Sequence, residues 1–136
     1  MRVLFWYCRK FAWRPANRTL DDAAPAVPAQ HSDCVVAFVH VEPEDSREGS
    51  RAETKLVKNA KWLARKWDVH QIILHSFTHL GEEKAAPDEA RELLLRAGNR
   101  LEAAGYKAVH TPYGYYLDLD IQAPGDALAR IYKTLT

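Results

Sequence analysis

The chain has 136 residues, of which 47% are hydrophobic and 27% are charged, and this composition is typical of a globular domain that folds around its own core. Its formal net charge of +1 neither favours nor excludes a nucleic-acid partner, because a local basic patch is enough for such binding. No apolar run approaches the roughly 20 residues that span a bilayer, so we expect one cytoplasmic domain over residues 1–136 without a membrane segment.

The first third of the chain predicts strands around one irregular segment. The apolar run RVLFWYC (2–8) is typical of a strand, and it is too short and too aromatic for a signal peptide. The run KFAWRP (10–15) predicts a second strand that ends at its proline, so that the two can form a hairpin. Residues 16–32 are rich in Ala and Pro and predict a loop. The run CVVAFVHVE (34–42) predicts a central strand that is covered on both faces.

A linker over residues 43–50 leads to the first predicted helix. Ser50 is the predicted cap of this helix, and Glu53 is its capping-box partner. Six residues at helical spacing form an apolar stripe that faces a core: Ala52, Leu56, Ala60, Leu63, Ala64 and Trp67. The other faces carry Trp62 among four lysines, which are Lys55, Lys58, Lys61 and Lys66. This lysine face is either a solvated surface or a contact with nucleic acid or a second subunit.

The second half of the chain alternates strands and helices. The run HQIILHS (70–76) predicts a buried strand, Pro87 begins a second helix and Gly105 ends it. Two strands follow, over 107–110 and 115–121, and the charge of Asp126 then favours a short last helix. This alternation predicts the α/β class, as one compact domain with a mixed sheet and helices packed on it.

The sequence offers few chemical motifs. His75 and His79 are four residues apart, but they straddle a strand end without a carboxylate between them, so no metal site is predicted. Walker, dinucleotide and GxSxG motifs do not occur, and Cys8 and Cys34 lack CxxC partners, so we expect buried thiols and no cofactor. Two irregular segments remain, each after an apolar strand: HSFTHL (75–80) and TPYGYY (111–116). Because sites in α/β domains are built at strand ends, these segments are the predicted site.

The two segments carry a family resemblance. HSFTHLGEEKAAP, followed by a helix, Gly105 and TPYGYYLDLDI, resembles the N-terminal editing domain of archaeal threonyl-tRNA synthetase. The likeness extends over nearly the whole chain, including its MRVL start and the run VVAFVHVE. It implies a D-aminoacyl-tRNA deacylase-like fold, a homodimer, and hydrolysis of serine wrongly attached to threonine tRNA, with a synthetase catalytic domain either fused to the chain or separate from it.

The implied activity has a physical reason. Serine lacks only one methyl group of threonine, and a missing methylene in a pocket is worth roughly 1–3 kcal/mol, too little for faithful translation. A second, hydrolytic site must therefore admit serine, crowd the methyl group of threonine, and stabilise the oxyanion that forms when water attacks the ester. Backbone N–H groups in a strand-end loop suit that task, because they are fixed before the substrate arrives.

The resemblance also assigns roles to residues. It implies that Phe77, His79 and Gly114 are catalytic, with the backbone amides near Phe77 and Gly114 as donors and with Gly114 letting the chain pass close to the aminoacyl group. The implied substrate-binding residues are Ser76, Thr78, Pro112, Tyr113, Tyr115, Tyr116 and Leu117. The lysine face is predicted to meet the phosphates of the tRNA acceptor stem.

Two positions depart from the family pattern. Leu117 stands where the family often has a lysine, and Arg130 stands where a glutamate is expected, so a lysine–glutamate mechanism is excluded. The 2′-hydroxyl of the terminal ribose is then expected to help activate the water.

Other functions stay open at this point. SFT (76–78) also resembles a segment of D-aminoacyl-tRNA deacylases, while Leu117 and Arg130 favour a non-catalytic module that binds RNA or dimerises. His79 can also be a hydrogen-bonded histidine at a strand end. Tyr115 and Tyr116 point to opposite faces of a strand, so at most one of them is expected to line the pocket.

Overall fold

The computed structural model describes residues Met1–Thr136 and consists of a six-stranded sheet with two long helices. The strands are β1 (Arg2–Arg18), β2 (Ala29–His40), β3 (Gln71–Ser76), β4 (Lys107–His110), β5 (Tyr115–Gln122) and β6 (Arg130–Thr134). The helices are α1 (Ala52–Trp67) and α2 (Pro87–Ala103), and short 3-10 turns cover Pro43–Ser46 and Ala127–Ala129. The predicted α/β class with a mixed sheet is confirmed.

The sheet has the order β4-β3-β2-β1-β5, and β6 pairs with the remaining part of the β1 edge. The strands β2, β3 and β4 are parallel, whereas β1 is antiparallel to β2, β5 and β6. Because α1 and α2 are the crossovers between the parallel strands, the carboxyl ends of β2, β3 and β4 lie at one edge of the sheet together with the start of each helix.

Apolar side chains are buried on both faces of the sheet. On the helix face the alternate residues Val35, Ala37 and Val39 of β2 pack with the apolar stripes of α1 and α2. On the opposite face Cys34, Val36 and Phe38 pack with residues of β1 and β3, so the prediction of a central strand covered on both faces is confirmed. Cys8 and Cys34 are fully buried, and burial raises the pKa of both thiols to about 12.

The start of the chain is held inside the fold. The amino-terminal ammonium group is buried and donates to Glu42 Oε1 at 2.7 Å, Asp45 Oδ1 at 2.9 Å and the Leu135 carbonyl at 3.0 Å. Burial alone would raise the pKa of Glu42, but the bonds from the ammonium group and Arg2 outweigh it, so this pKa lies below its ordinary value.

The predicted ends of the helices are correct in part. Pro87 begins α2 and Gly105, with φ +93°, follows its last turn as predicted. The predicted capping box of α1 is wrong, because the cap residue is Arg51 and makes no side-chain cap bond. Ser50 Oγ accepts only from the Ala52 amide, and Glu53 instead binds α2 through Arg96 and Arg100.

Three predictions are wrong: those of the first hairpin, of the long loop and of the last helix. The predicted hairpin is one strand, β1, in which Pro15 is accommodated because the pairing with β5 shifts between Pro15 and Arg18. The predicted loop over 16–32 is shorter, since β2 begins at Ala29. The predicted last helix is a single turn that Asp126 caps, followed by β6. Neither α1 nor α2 is long and apolar enough to cross a membrane.

Candidate active site

A cavity of about 290 Å³ lies at the carboxyl ends of β3 and β4. Both predicted segments line it, one through His75–His79 and the other through Thr111–Leu117. All ten residues that were predicted to be catalytic or to bind the substrate are therefore brought together, and their roles stay predictions. The remaining walls come from Thr19 and Leu20, from residues 84–90 around the start of α2, and from Leu119.

Two polar side chains form the buried part of the cavity wall. His75 Nδ1 lies 2.8 Å from Thr111 Oγ1, and the imidazole ring stands edge-on to Phe38 at 4.9 Å between centroids. Burial lowers the pKa of His75 to about 4, since a charged imidazolium ion would lose its hydration there. His75 is therefore neutral near pH 7, and its Nδ1 is already engaged.

His79 stands at the mouth of the cavity and is exposed. Its ring contacts the edge of Phe77 at 5.0 Å and stacks against Tyr116 at 6.4 Å, with an angle of 19° between the planes. Tyr116 is 57% exposed. The alternative that His79 is a buried, hydrogen-bonded strand-end histidine does not describe this geometry, which instead presents two aromatic faces to solvent beside the cavity.

The other two tyrosines are fixed through their hydroxyl groups. Tyr113 donates to the Pro87 carbonyl and Tyr115 donates to the Ala24 carbonyl, both at 2.7 Å. Burial raises the pKa of Tyr113, so this residue is a neutral wall near pH 7. Tyr115 and Tyr116 both line the cavity, so the expectation that only one would do so is wrong, because the cavity wraps around the first residues of β5.

The backbone at Gly114 also has a structural requirement for glycine that was not predicted. It has φ +88°, and a Cβ atom there would lie 2.8 Å from Ala23 Cβ. Its carbonyl accepts the amides of Thr19 at 2.7 Å and Leu20 at 3.4 Å. The space where a Cβ atom of residue 114 would lie is therefore taken by Leu20 and Ala23. These two residues belong to residues 19–28, called the cover loop below.

The backbone amides of the site differ in their availability. Among the amides near Phe77, that of Phe77 itself donates to the Val39 carbonyl at 2.9 Å and is already engaged. The amides of Thr78, His79 and Gly114 make no hydrogen bond within the protein. All three residues line the cavity, so their N–H groups are unpaired donors in its lining.

The two departures from the family pattern lie apart, since Leu117 pairs with Pro15 of β1 and Arg130 pairs with Trp6. Leu117 lines the cavity and packs against the apolar face that lacks helices. Arg130 does not line the cavity, because its guanidinium group lies 5.6 Å from the ring centroid of Trp6 and donates to the Pro124 carbonyl at 2.7 Å. No lysine–glutamate pair is therefore present.

The lysine face of α1 lies apart from the cavity, and none of its lysines lines it. Lys66 stands 5.6 Å from the ring centroid of Trp62, and the Lys55 ammonium group donates to the Thr136 carbonyl. Lys58 and Lys66 are exposed, whereas the other two lysines are partly covered.

Sequence reasoning missed several residues of the cavity. His75 was weighed only as a metal ligand, although its place at the end of a buried strand is a signal for a polar site residue. Thr111 is the first residue of the second predicted segment, but no role was assigned to it. Leu20, Lys84 and Ala85 come from loops, and no local pattern identifies them. No cluster of three or more His, Cys, Asp or Glu residues is arranged to hold a metal ion.

The comparison with known proteins settles the family. Residues 1–135 match the archaea-specific editing domain of threonyl-tRNA synthetase. The chain belongs to this family. It is 27% identical over 138 residues to a threonine–tRNA ligase of Methanopyrus kandleri and 29% identical over 139 residues to one of Pyrococcus horikoshii.

These matches cover 100% and 99% of the chain but 22% of each ligase, so the chain spans about a fifth of the length of the curated relatives it matches. The predicted relation to the synthetase editing domain is thus confirmed. Among solved structures, the c-Myc DNA Unwinding Element Binding Protein has a similar fold, with a TM-score of 0.70 over 100% of this chain and 99% of that one. At 10% sequence identity this similarity concerns the fold alone.

Proposed function

We propose that the chain is a proofreading hydrolase that removes serine from L-seryl-tRNA(Thr). The observation that carries this proposal is the single cavity that both motif segments line at the carboxyl ends of β3 and β4. Membership of the editing-domain family supports the reaction class. The aminoacyl ester enters the cavity, while the terminal adenosine stacks on Tyr116 and His79 at its mouth.

The chemistry of the lining favours a mechanism that is assisted by the substrate. No Asp, Glu or Cys lines the cavity, and His75 is a weak base because burial lowers its pKa to about 4. We therefore assign activation of the water to the 2′-hydroxyl of the terminal ribose. Water attacks the ester carbonyl carbon and gives up a proton through the 2′-hydroxyl, and the resulting oxyanion accepts from the free amides of Thr78, His79 or Gly114. Collapse breaks the bond to the 3′-oxygen, which takes up that proton, so that serine and the tRNA with a free 3′-hydroxyl group are released.

The test is a comparison of three substrates: L-seryl-tRNA(Thr), threonyl-tRNA(Thr) and a D-aminoacyl-tRNA, each incubated with the purified chain. We expect rapid hydrolysis of the first alone. Preferential hydrolysis of the D-aminoacyl ester would instead identify a D-aminoacyl-tRNA deacylase. If none of the three substrates is hydrolysed, the chain is instead a module that binds RNA or dimerises.

The mechanism has its own test in single-turnover rates. Replacing the 2′-hydroxyl by hydrogen, with serine on the 3′-oxygen, should nearly abolish hydrolysis. His79→Ala should cost less than about tenfold, whereas a true general base contributes about 10²–10⁴-fold. His70→Ala is the matched control, since His70 is an exposed histidine outside the cavity. A dead His79→Ala variant with normal cleavage of the deoxy substrate would overturn the mechanism.

The lysine face is proposed to contact the tRNA. The 16 residues of α1 extend roughly 24 Å at 1.5 Å per residue, which is long enough to follow an acceptor stem away from the cavity. Binding should weaken as salt rises, because counterions are released from the phosphates. Lys58→Glu with Lys66→Glu should lower the affinity, and the control pair Lys107→Glu with Lys133→Glu should not. If the lysine-face variant and the control variant bind the tRNA with equal affinity, the lysine face is not part of the tRNA contact.

The remaining partners are also proposals. A homodimer is supported by exposed apolar side chains on β5 and β6, including Leu119 and Tyr132, which are 36% and 48% exposed. Sedimentation that shows only a 15.5 kDa species at micromolar concentration would exclude the dimer. We propose that the chain acts in the cytoplasm beside a threonyl-tRNA synthetase catalytic domain, either fused or separate.

A further inference from the structure

One histidine outside the cavity binds the main chain of the site through both of its ring nitrogens. His40 is the last residue of β2 and is 0% exposed. Its Nδ1 is 3.1 Å from the Leu80 amide nitrogen, and its Nε2 is 2.7 Å from the Glu83 carbonyl oxygen. His40 does not line the cavity.

These two contacts fix the protonation of the ring. An amide N–H can only donate, so Nδ1 must carry a lone pair, and a carbonyl oxygen can only accept, so Nε2 must carry the proton. One neutral tautomer satisfies both bonds. A protonated ring would place a second donor against the Leu80 amide.

The bonds of His40 lie in the middle of a loop whose two ends are already tied to the end of β2 and to Val41, the residue that follows it. This site loop, residues 77–85, donates its Phe77 amide to the Val39 carbonyl and its Ala85 amide to the Val41 carbonyl, both at 2.9 Å. Between these ends, the other side-chain bond to the loop backbone is the 3.4 Å contact from Arg2 Nη1 to the Leu80 carbonyl. The ring of His40 is therefore the main support of the central turn.

We propose that His40 is a positioning residue for ester hydrolysis, which acts by holding the Leu80 amide. Leu80 directly follows His79, so its position sets where the free amides of Thr78 and His79 stand relative to the cavity. A displacement of about 1 Å in a group that positions the reacting atoms costs on the order of 10²-fold in rate. This inference rests on the function proposed above, and it deepens that function by adding a residue that never touches the substrate.

Two substitutions separate the two bonds. In His40→Asn the side-chain oxygen takes the place of Nδ1 and can still accept from the Leu80 amide. In His40→Gln the side-chain amide takes the place of Nε2 and can still donate to the Glu83 carbonyl. We expect the Asn variant to keep its single-turnover rate on L-seryl-tRNA(Thr) within about threefold. The Gln and Ala variants should lose about tenfold or more in rate.

A control separates positioning from stability. Val57→Ala truncates a buried residue of α1 far along the chain from the site loop, and it should be studied at a temperature where every variant is folded. We expect Val57→Ala to keep the wild-type rate. If it loses as much rate as His40→Ala at equal stability, or if the Asn and Gln variants are equally active, the positioning role is wrong.

Two further measurements need no tRNA. The imidazole nitrogen resonances of the free protein should show an unprotonated Nδ1 and a protonated Nε2. Hydrogen exchange of the Leu80 amide should be slow in the wild type and in His40→Asn, and fast in His40→Gln and His40→Ala. Fast exchange in the wild type would overturn the inference. A wild type that shows both signatures but does not hydrolyse seryl-tRNA would overturn the proposed function instead.

Discussion

Acid should destabilise this domain through one residue of the cavity wall, His75. Burial lowers its pKa from 6.5 to about 4, so between these values the unfolded chain binds a proton that the folded chain does not. Stability therefore falls as the pH falls from about 6.5 to about 4. A shift of this size corresponds to about 3 kcal/mol at 1.36 kcal/mol per pKa unit, a large share of the 5–15 kcal/mol that is typical of a domain.

The assay is urea unfolding at a series of pH values between 7 and 4. His75→Phe keeps an aromatic ring against Phe38 but cannot bind a proton, so its loss of stability over this range should be smaller than that of the wild type by about 3 kcal/mol. Thr111→Val is the matched control, because it removes the 2.8 Å contact and keeps the titrating ring. The absolute stability of either variant at pH 7 does not enter the comparison.

The difference between the two curves isolates His75, because other groups contribute equally to both. Burial also lowers the pKa of His31 and His110, and both residues are present in each variant. The reasoning is refuted if His75→Phe and the wild type lose the same stability between pH 6.5 and pH 4. It is also refuted if Thr111→Val behaves like His75→Phe.

Three further substitutions test other parts of the fold. Gly98→Ala should destabilise the domain, because its Cβ would collide with the His110 ring and overpacking costs about 1–3 kcal/mol. This cost should exceed the gain of about 1 kcal/mol from the higher helix propensity of Ala. A higher melting temperature would contradict this. Gly114→Ala should loosen the cover loop and speed its proteolysis, and unchanged cleavage would show that the contact with Ala23 is not decisive. Asp45→Asn should cost about 1–3 kcal/mol in urea unfolding, because the buried ammonium group loses one charged partner and keeps Glu42. An unchanged free energy of unfolding would exclude that role.

Local patterns were enough to predict much of this fold. The apolar periodicity of 52–67 and the limits set by Pro87 and Gly105 give both helices, because a helix depends on neighbours three and four residues apart. Residues 130–134 show the limit of that reasoning. Arg130 is extended and pairs with Trp6 of β1, so the free edge of a strand at the other end of the sequence decides the structure there.

The candidate site also combines features that local sequence patterns predict with features that depend on contacts between distant residues. The segments 75–80 and 111–116 were predicted because they follow buried strands, and the topology brings strand ends together. The cover loop and His40 were not predicted, because their contacts join residues that are distant in sequence. His40 lies between Val39 and Val41 in an apolar run, and this pattern indicates only a strand. Its partners Leu80 and Glu83 lie 40 or more residues away in the sequence.

The pairing of β1 has a consequence for how the chain folds during synthesis. One edge of this 17-residue strand pairs with β2, but the other is shared between β6 and β5, which come much later in the chain. Until residues 115–134 emerge, that edge has no partner within the chain and is open to pairing with another nascent chain. β1 is thus completed only after β5 and β6 have been made, which makes folding slow and prolongs the exposure of its edge.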